Sequence, residues 1–484
     1  MKKVIFCAVA LMMGAVGLAQ TTPVAPGAPT NAQSLTPQGP APASANMSHS
    51  IQNGNDNKVA ISQVGTKQGA YTDQADGTGS GGNQGRIRQE GNVGPNSGVA
   101  NMAELYQRGT DNQSTQYQFG DKNEALVKQG NLLSGSDGNR ALIQQGATGA
   151  QQGEKNKAEI TQNGNDNQAR TQQRYDKNEA LTNQFGNGNY ADIGQNAQPN
   201  GSMGHAAEIG QTGLDNDAWI RQEGNGARNE ATALQLGDNN FSWQEQDASA
   251  SGGMGNNAYV AQGLDVRPNP IAAGLYLDLL SVDVINNGSL NSLATNAKAF
   301  QFQDGDDNVA ASLQFGDGNY SEQHQDGDDN HALVVQNAFG NPAGNSNYAK
   351  QTQTGDDNEA AIGQNGMNQR ALQSQIGDKN KALSTQRGHD NDVNIHQRGD
   401  KNFASTGQRG QCNDALVVQY DGQSAVVEQN LVGGLPGGNN TANIYQSGPN
   451  GGGGAIGCGF DTQLPMPPQV DVPIFDIPDI CPGC

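Results

Sequence analysis

Three kinds of side chain in this sequence could do chemistry. Paired carboxylates recur in short Gly-Asp segments at 305–308, 327–330 and 355–358, with Asp328-Asp329 typical of them. Oxygen ligands of this type suit Ca2+ if such segments are brought to one edge. The nine-residue Gly-Asp calcium repeat is absent, however. Cysteines form a second group: once Cys7 is set aside, Cys412, Cys458, Cys481 and Cys484 remain. Cys481-Pro-Gly-Cys484 has the spacing of a redox motif, but it stands outside any βαβ context. The six histidines, His49, His205, His324, His331, His389 and His396, are scattered. His324, His331 and His396 fall on outward positions, His389 in a turn, and no acid is paired with a base. The sequence is therefore not read as an enzyme, and neither a cofactor nor a small-molecule substrate is expected.

The elements that position these groups follow from one spacing. Gln353, Gln364, Gln375, Gln386, Gln397, Gln408 and Gln419 fall eleven residues apart. The same series includes Gln314, Gln325 and Gln336, and it reaches back to Gln52 and forward to Gln446. A fixed short period marks a repeat array. Counting from each Gln, position 2 is Gly in all regular intervals but one, where Tyr175 stands. Position 5 is Asn, as at Asn308, Asn319, Asn330, Asn358, Asn380, Asn391, Asn402 and Asn413, or else Gln, at Gln68 and Gln369. Position 7 is Ala, Ser or Val and nothing larger.

Positions 5, 7, 9 and 11 alternate, which is the period of a β-strand with one face inward. Asn123, Ala125, Val127 and Gln129 should point in, while Glu124, Leu126 and Lys128 should point out to solvent. Positions 1 to 4 carry the Gly and Asp that turns need. A right-handed helical coiled coil also suits an eleven-residue period. It would have to absorb a Gly in every unit at roughly 1 kcal/mol each, so it is rejected. Prolines between 51 and 450 avoid the strands, as a hydrogen-bonded ladder requires.

Two units make one rung, and stacked rungs make an all-β solenoid with two facing parallel sheets. Thirty or so units give about fifteen rungs, roughly 70 Å long at about 4.8 Å per rung. Buried Asn and Gln would be costly alone, but stacked in register each amide can bond the identical amide above and below. The ladder runs over 51–262 and 303–446. Residues 263–302, with the apolar "AAGLYLDLLSVDVI", interrupt it; they read as degenerate rungs or as an interaction patch separating two lobes. The expanded turns around 145–162 are expected to interrupt the register, leaving 353–429 as the best-ordered run.

Residues 1–19 have the charged start, apolar stretch and Gly17-Leu18-Ala19 site of a Sec-type secretory signal. Residues 20–50 are a Pro- and Ala-rich linker expected to be disordered. Residues 447–484 form a Gly- and Pro-rich tail. Export favours disulfide pairing among Cys458, Cys481 and Cys484, with the connectivity left open. Zinc through those three would lack a clear fourth ligand. The net charge of −21 argues against a nucleic-acid partner.

The pattern Gln-x-Gly-x-x-Asn-x-Ala-x-x-x-Gln, seen at Gln325, Gly327, Asn330, Ala332 and Gln336, resembles the repeat of the curlin family, the subunits of curli fibres. It recurs at 118–129, 353–364 and 375–386, and the resemblance extends over nearly all of 51–446. It implies a secreted Gram-negative protein that assembles outside the cell into functional amyloid for biofilm matrix and adhesion. The implied partners are further copies of itself, other curlin-type subunits and an outer-membrane export channel. The Gln and Asn ladder residues would then drive rung stacking. The chain carries several times the repeats of a typical curlin, and its Cys-bearing tail lies outside the family pattern. The rival from another class is a non-polymerising extracellular solenoid, an adhesin or Ca-binding module.

Overall fold

The computed structural model describes residues 46–75, 81–91, 101–130, 136–146, 153–197, 204–224, 228–248, 255–263, 293–337, 346–430 and 438–447. The signal, the N-terminal linker apart from its last residues, most of the 263–302 stretch and the cysteine-bearing tail lie outside them.

The described residues form two parallel sheets with fifteen strands of six or more residues in each, plus four two-residue strands at the turns. The chain alternates between the sheets. Met47–Asn53 lies in the first and Lys58–Val64 in the second, and the next strand, Gly69–Ala75, returns to pair with Met47–Asn53. Every pairing is parallel and joins identical positions of successive rungs, as in Gln353 with Gln375 and Ala349 with Ala371. The molecule is a β-solenoid.

The inward residues behave as their period dictates. Asn123, Ala125, Val127 and Gln129 are each 0% exposed. Alanines fill position 7 of both sheets, and Ile, Val and Leu pack between them at position 9 through most of the N-terminal half. The narrow interior explains why nothing larger than Val stands at position 7: a longer side chain there would meet the opposite sheet.

Four features depart from the sequence reading. Leu126, placed outward by alternation, is nonetheless buried. The register is not interrupted at the expanded turns. Arg140–Gln145 pairs in step with both Gln113–Gln118 and Gln168–Gln173, because added turn residues leave the strands unchanged. The stack also runs straight through the insert. Asn257–Gln262 pairs directly with Val309–Gln314, and Phe241–Asp247 with Lys298–Asp304. The 263–302 stretch therefore supplies no degenerate rung between them and does not divide the stack into lobes. Its last part, Lys298–Asp304, is a regular strand, hidden in the sequence because Ala297 takes the Asn position.

Candidate functional site

The polar ladders are the chemistry of this molecule. Each inward Gln amide binds in two directions. Gln325 Nε2 donates to Gln353 Oε1 at 2.9 Å, and also to the backbone carbonyls of Asn330 at 2.7 Å and Val309 at 3.1 Å. The first bond ties successive rungs. The bond to Val309 crosses to the facing strand and ties the two sheets. In the first sheet the chain of amides runs Gln314, Gln336, Gln364, Gln386, Gln408 and Gln429. In the second it runs Gln325, Gln353, Gln375, Gln397, Gln419 and Gln446. Every Gln amide in both points toward the C-terminal rung.

The Asn ladder runs the other way. Asn330 donates from its backbone N at 3.0 Å and from Nδ2 at 3.1 Å, both to Asn308 Oδ1 in the preceding rung. Asn358, Asn380 and Asn402 repeat this in turn. In the second sheet Asn347 binds Asn319, and Asn413 binds Asn391. Gln369 stands between those pairs. Its extra methylene carries the amide past the ladder to the Asn365 and Gly388 carbonyls, and its buried Oε1 has no partner. Gln is therefore not equivalent to Asn at position 5, although the sequence pattern accepts both.

Stacking also explains the turn glycine. Gly327 adopts φ +119, and a Cβ on it would sit 2.3 Å from the Gly355 carbonyl oxygen in the next rung. The residue two places on takes left-handed geometry without being Gly, as at Asp307, Asp329, Asp357, Lys379 and Lys401. Tyr175 replaces the turn Gly where the following turn of that edge, 196–204, is an expanded one.

The acidic turns are already satisfied by the backbone. Asp306, Asp328, Asp356 and Asp378 each donate a backbone N–H to Oδ1 of the next Asp along, ending at Asp400, at 2.9–3.0 Å. Each carboxylate from Asp328 to Asp400 thus spends a lone pair on a neighbouring rung. Among the described residues no group of three or more His, Cys, Asp or Glu could hold a metal. Cys412 is exposed in a turn as a free thiol, and Cys458, Cys481 and Cys484 lie outside the described residues.

Three polar features escaped the sequence reading. A second inner amide chain runs through Gln244, Gln301, Gln323, Gln351 and Gln373, at 2.8–3.0 Å per step. Its signal was present as Gln-x-Gln at strand ends, a pattern that repeats in alternate units and is diluted in an eleven-residue count. His205 takes an Asn position and is fully buried. Its Nδ1 accepts from the Asn229 backbone N at 3.2 Å, standing in for an Asn Oδ1. Burial lowers its pKa to about 4. On the outer face, Glu322 is bonded to Tyr320 Oη, Lys350 Nζ and the His324 ring, each at 2.8 Å. Burial alone would raise its pKa, but those hydrogen bonds outweigh it and hold the carboxyl at about 2.

The two ends of the stack are open among the described residues. Met47–Asn53 and Lys58–Val64 pair on one side only, as do Ser424–Gln429 and Thr441–Ser447 at the other end. The last two amides, Gln429 and Gln446, donate to the Asp414 and Ser424 carbonyls, and no later Gln in the described residues receives them. The first two, Gln52 and Gln63, donate inward to Gln74 and Gln89. One end thus presents amide donors and the other presents amide acceptors.

The curlin associated repeat matches residues 98–130 and 388–420. The chain carries curlin associated repeats. Each matched segment spans three consecutive strands of the stack, Met102–Gln129 in one and Asp392–Tyr420 in the other. Curlin repeats thus occur in both halves of one continuous solenoid, before and after the 264–292 stretch. A search of curated proteins returns no match.

Proposed function

We propose that this chain is a structural subunit, not an enzyme, which adds copies end to end to form extracellular amyloid-type fibres of biofilm matrix. The observation that carries the reading is the polarity of the open ends. Unpaired parallel edges template further strands. A second copy placed head to tail would continue both sheets, with Gln429 and Gln446 donating to its Gln52 and Gln63. Because every rung is laid down at the same spacing, the junction would repeat the geometry found inside the chain.

Acidic turns would keep separate copies soluble before assembly, since the chain carries a net charge of −21. A Ca-dependent solenoid is disfavoured by the turn carboxylates already bonded to backbone amides. Export by a Sec-type signal and association with an outer-membrane channel belong to the same proposal. The test is fibre formation by the chain lacking its first nineteen residues. Cross-β diffraction at about 4.7–4.8 Å along the fibre axis, with seeding by preformed fibres, is expected. A monomer that persists at high concentration and ignores seeds would sink the proposal.

A further inference from the structure

Between residues 230 and 375 the solenoid turns its polarity inside out. The inner position 9 of the second sheet carries Gln301, Gln323 and Gln351 instead of aliphatic residues, and Ser312 and Ser321 face each other inside at 2.6 Å. The apolar groups move to the outer face of the first sheet, where Tyr259, Leu313, Leu333, Val335 and Ala361 form one patch. Outward side chains on a water-facing sheet stay partly exposed. Leu383 and Leu416 do so at the same strand position, and Val426 in the last rung is 58% exposed. Leu333 is 0% and Val335 1% exposed. This face is therefore covered. Yet every described strand of six or more residues belongs to one of the two sheets, so none of them lies across it.

We infer that residues 264–292 seat on this outer face of the first sheet and act as an intramolecular cover. The chain leaves the stack at Gly263, directly after the strand that contributes Tyr259 to the patch. It returns at Leu293, whose carbonyl accepts from the Gly316 backbone N at 3.3 Å, next to the buried patch residue Phe315. Both points of attachment are thus at the patch. The segment carries Ile271, Leu275, Leu277, Leu279, Leu280 and Val282, an apolar run that needs burial of its own. The patch extends over five strands, from Glu230–Asp238 to Glu359–Met367, or about 19 Å at the spacing of paired strands. A segment of this length crosses that distance and returns with chain to spare, since an extended residue covers about 3.3 Å. The cover would leave the ends of the stack as the sites of growth and block sideways association through the middle. It stands on the burial pattern alone and does not depend on fibre formation.

The test compares the full chain with a variant in which 264–292 is replaced by a short Gly-Ser linker. Fluorescence of 1-anilinonaphthalene-8-sulfonate should rise several-fold at unchanged far-UV β signal. Truncation after Ser447 should leave it unchanged. Trp219 and Trp243, the two tryptophans, are on the second sheet, so their emission should not shift. A dye signal that follows the tail truncation, or a tryptophan shift on removing the segment, would overturn the assignment. If the deletion does not fold, chymotrypsin decides on the full chain. Cleavage at Tyr276 should be at least tenfold slower than in the urea-unfolded chain, and the Leu333→Asp/Val335→Asp variant should lose most of that protection. Equal cleavage in native and unfolded chains, or no effect of the double substitution, would refute the cover.

Discussion

Gln172 and Gln173 are neighbours of identical chemistry on one strand, and the structure assigns them opposite costs. Gln173 is fully buried. It donates to the Lys157 carbonyl at 2.8 Å and to Gln195 Oε1 at 2.9 Å, and it accepts from Gln145 Nε2 at 3.0 Å. Gln172 faces outward, half-buried, with one long contact to Gln144 at 3.5 Å. Gln173→Leu orphans the buried Gln195 Oε1, at about 1–3 kcal/mol, and removes two further bonds worth about 0.5–1.5 kcal/mol each. Gln145 Nε2 keeps the Glu124 carbonyl, which limits the damage. Greater apolar burial of Leu returns about 1 kcal/mol. The net expectation is a loss of about 2–4 kcal/mol, against no more than about 0.5 kcal/mol for Gln172→Leu. Because a solenoid's stability is a sum of neighbouring rungs, the loss should be local. Native-state hydrogen exchange is the assay: protection should drop in Arg140–Gln145, Gln168–Arg174 and Tyr190–Ala197 and hold in rungs near the C-terminal end. Equal effects of the two substitutions, or a loss spread evenly along the chain, would refute the ladder as the source of rung cohesion.

Other consequences can be checked in the same way. Gly327→Ala should destabilise by about 2–4 kcal/mol, from contact with the Gly355 carbonyl added to backbone strain. Gly422→Ala, at φ +70 with nothing within 4 Å, should cost about 1 kcal/mol, and thermal unfolding separates the two. His205 has a folded pKa of about 4, below its ordinary 6.5. Its contribution is therefore fully present above pH 6.5 and is lost as the pH falls through that window. His205→Asn should flatten the acid limb of a stability–pH curve measured by hydrogen exchange at that rung, and an unchanged limb would show that His205 is not buried neutral. Asp217 has the opposite sign. Burial, then Asp215, raises its pKa to about 6, so the folded state holds its proton more tightly and stability falls as pH rises from 3.8 to 6. Asp217→Asn should stabilise at neutral pH in urea titrations. Finally, the ladder is as continuous at Gln145 and Gln162 as at Gln375 and Gln386. Glu substitutions at either pair should slow seeded growth alike, and a large difference would mean that the expanded turns matter after all.

Some of this was legible in the residues. Asn123, Ala125, Val127 and Gln129 state their own orientation, because a two-residue alternation has only one inward set. A unit repeated many times averages out local exceptions. Gln301 and Gln323 were not legible, because a Gln at an apolar position reads as noise until the partner one rung away is known. His205 was missed for the same reason: its Nδ1 becomes an acceptor only when the Asn229 amide is beside it. Leu126 and Leu333 were placed on the correct face, but alternation cannot say whether that face meets water.

The sequence by itself determined the strand, the turn, the inward face and the eleven-residue unit, since these depend on neighbours within one unit. Tertiary structure alone decided whether the ladder survives expanded turns, why Gly327 must be Gly, and which outer face is covered. Each of those depends on residues a full rung or more away along the chain, brought to within hydrogen-bond distance only when the rungs stack.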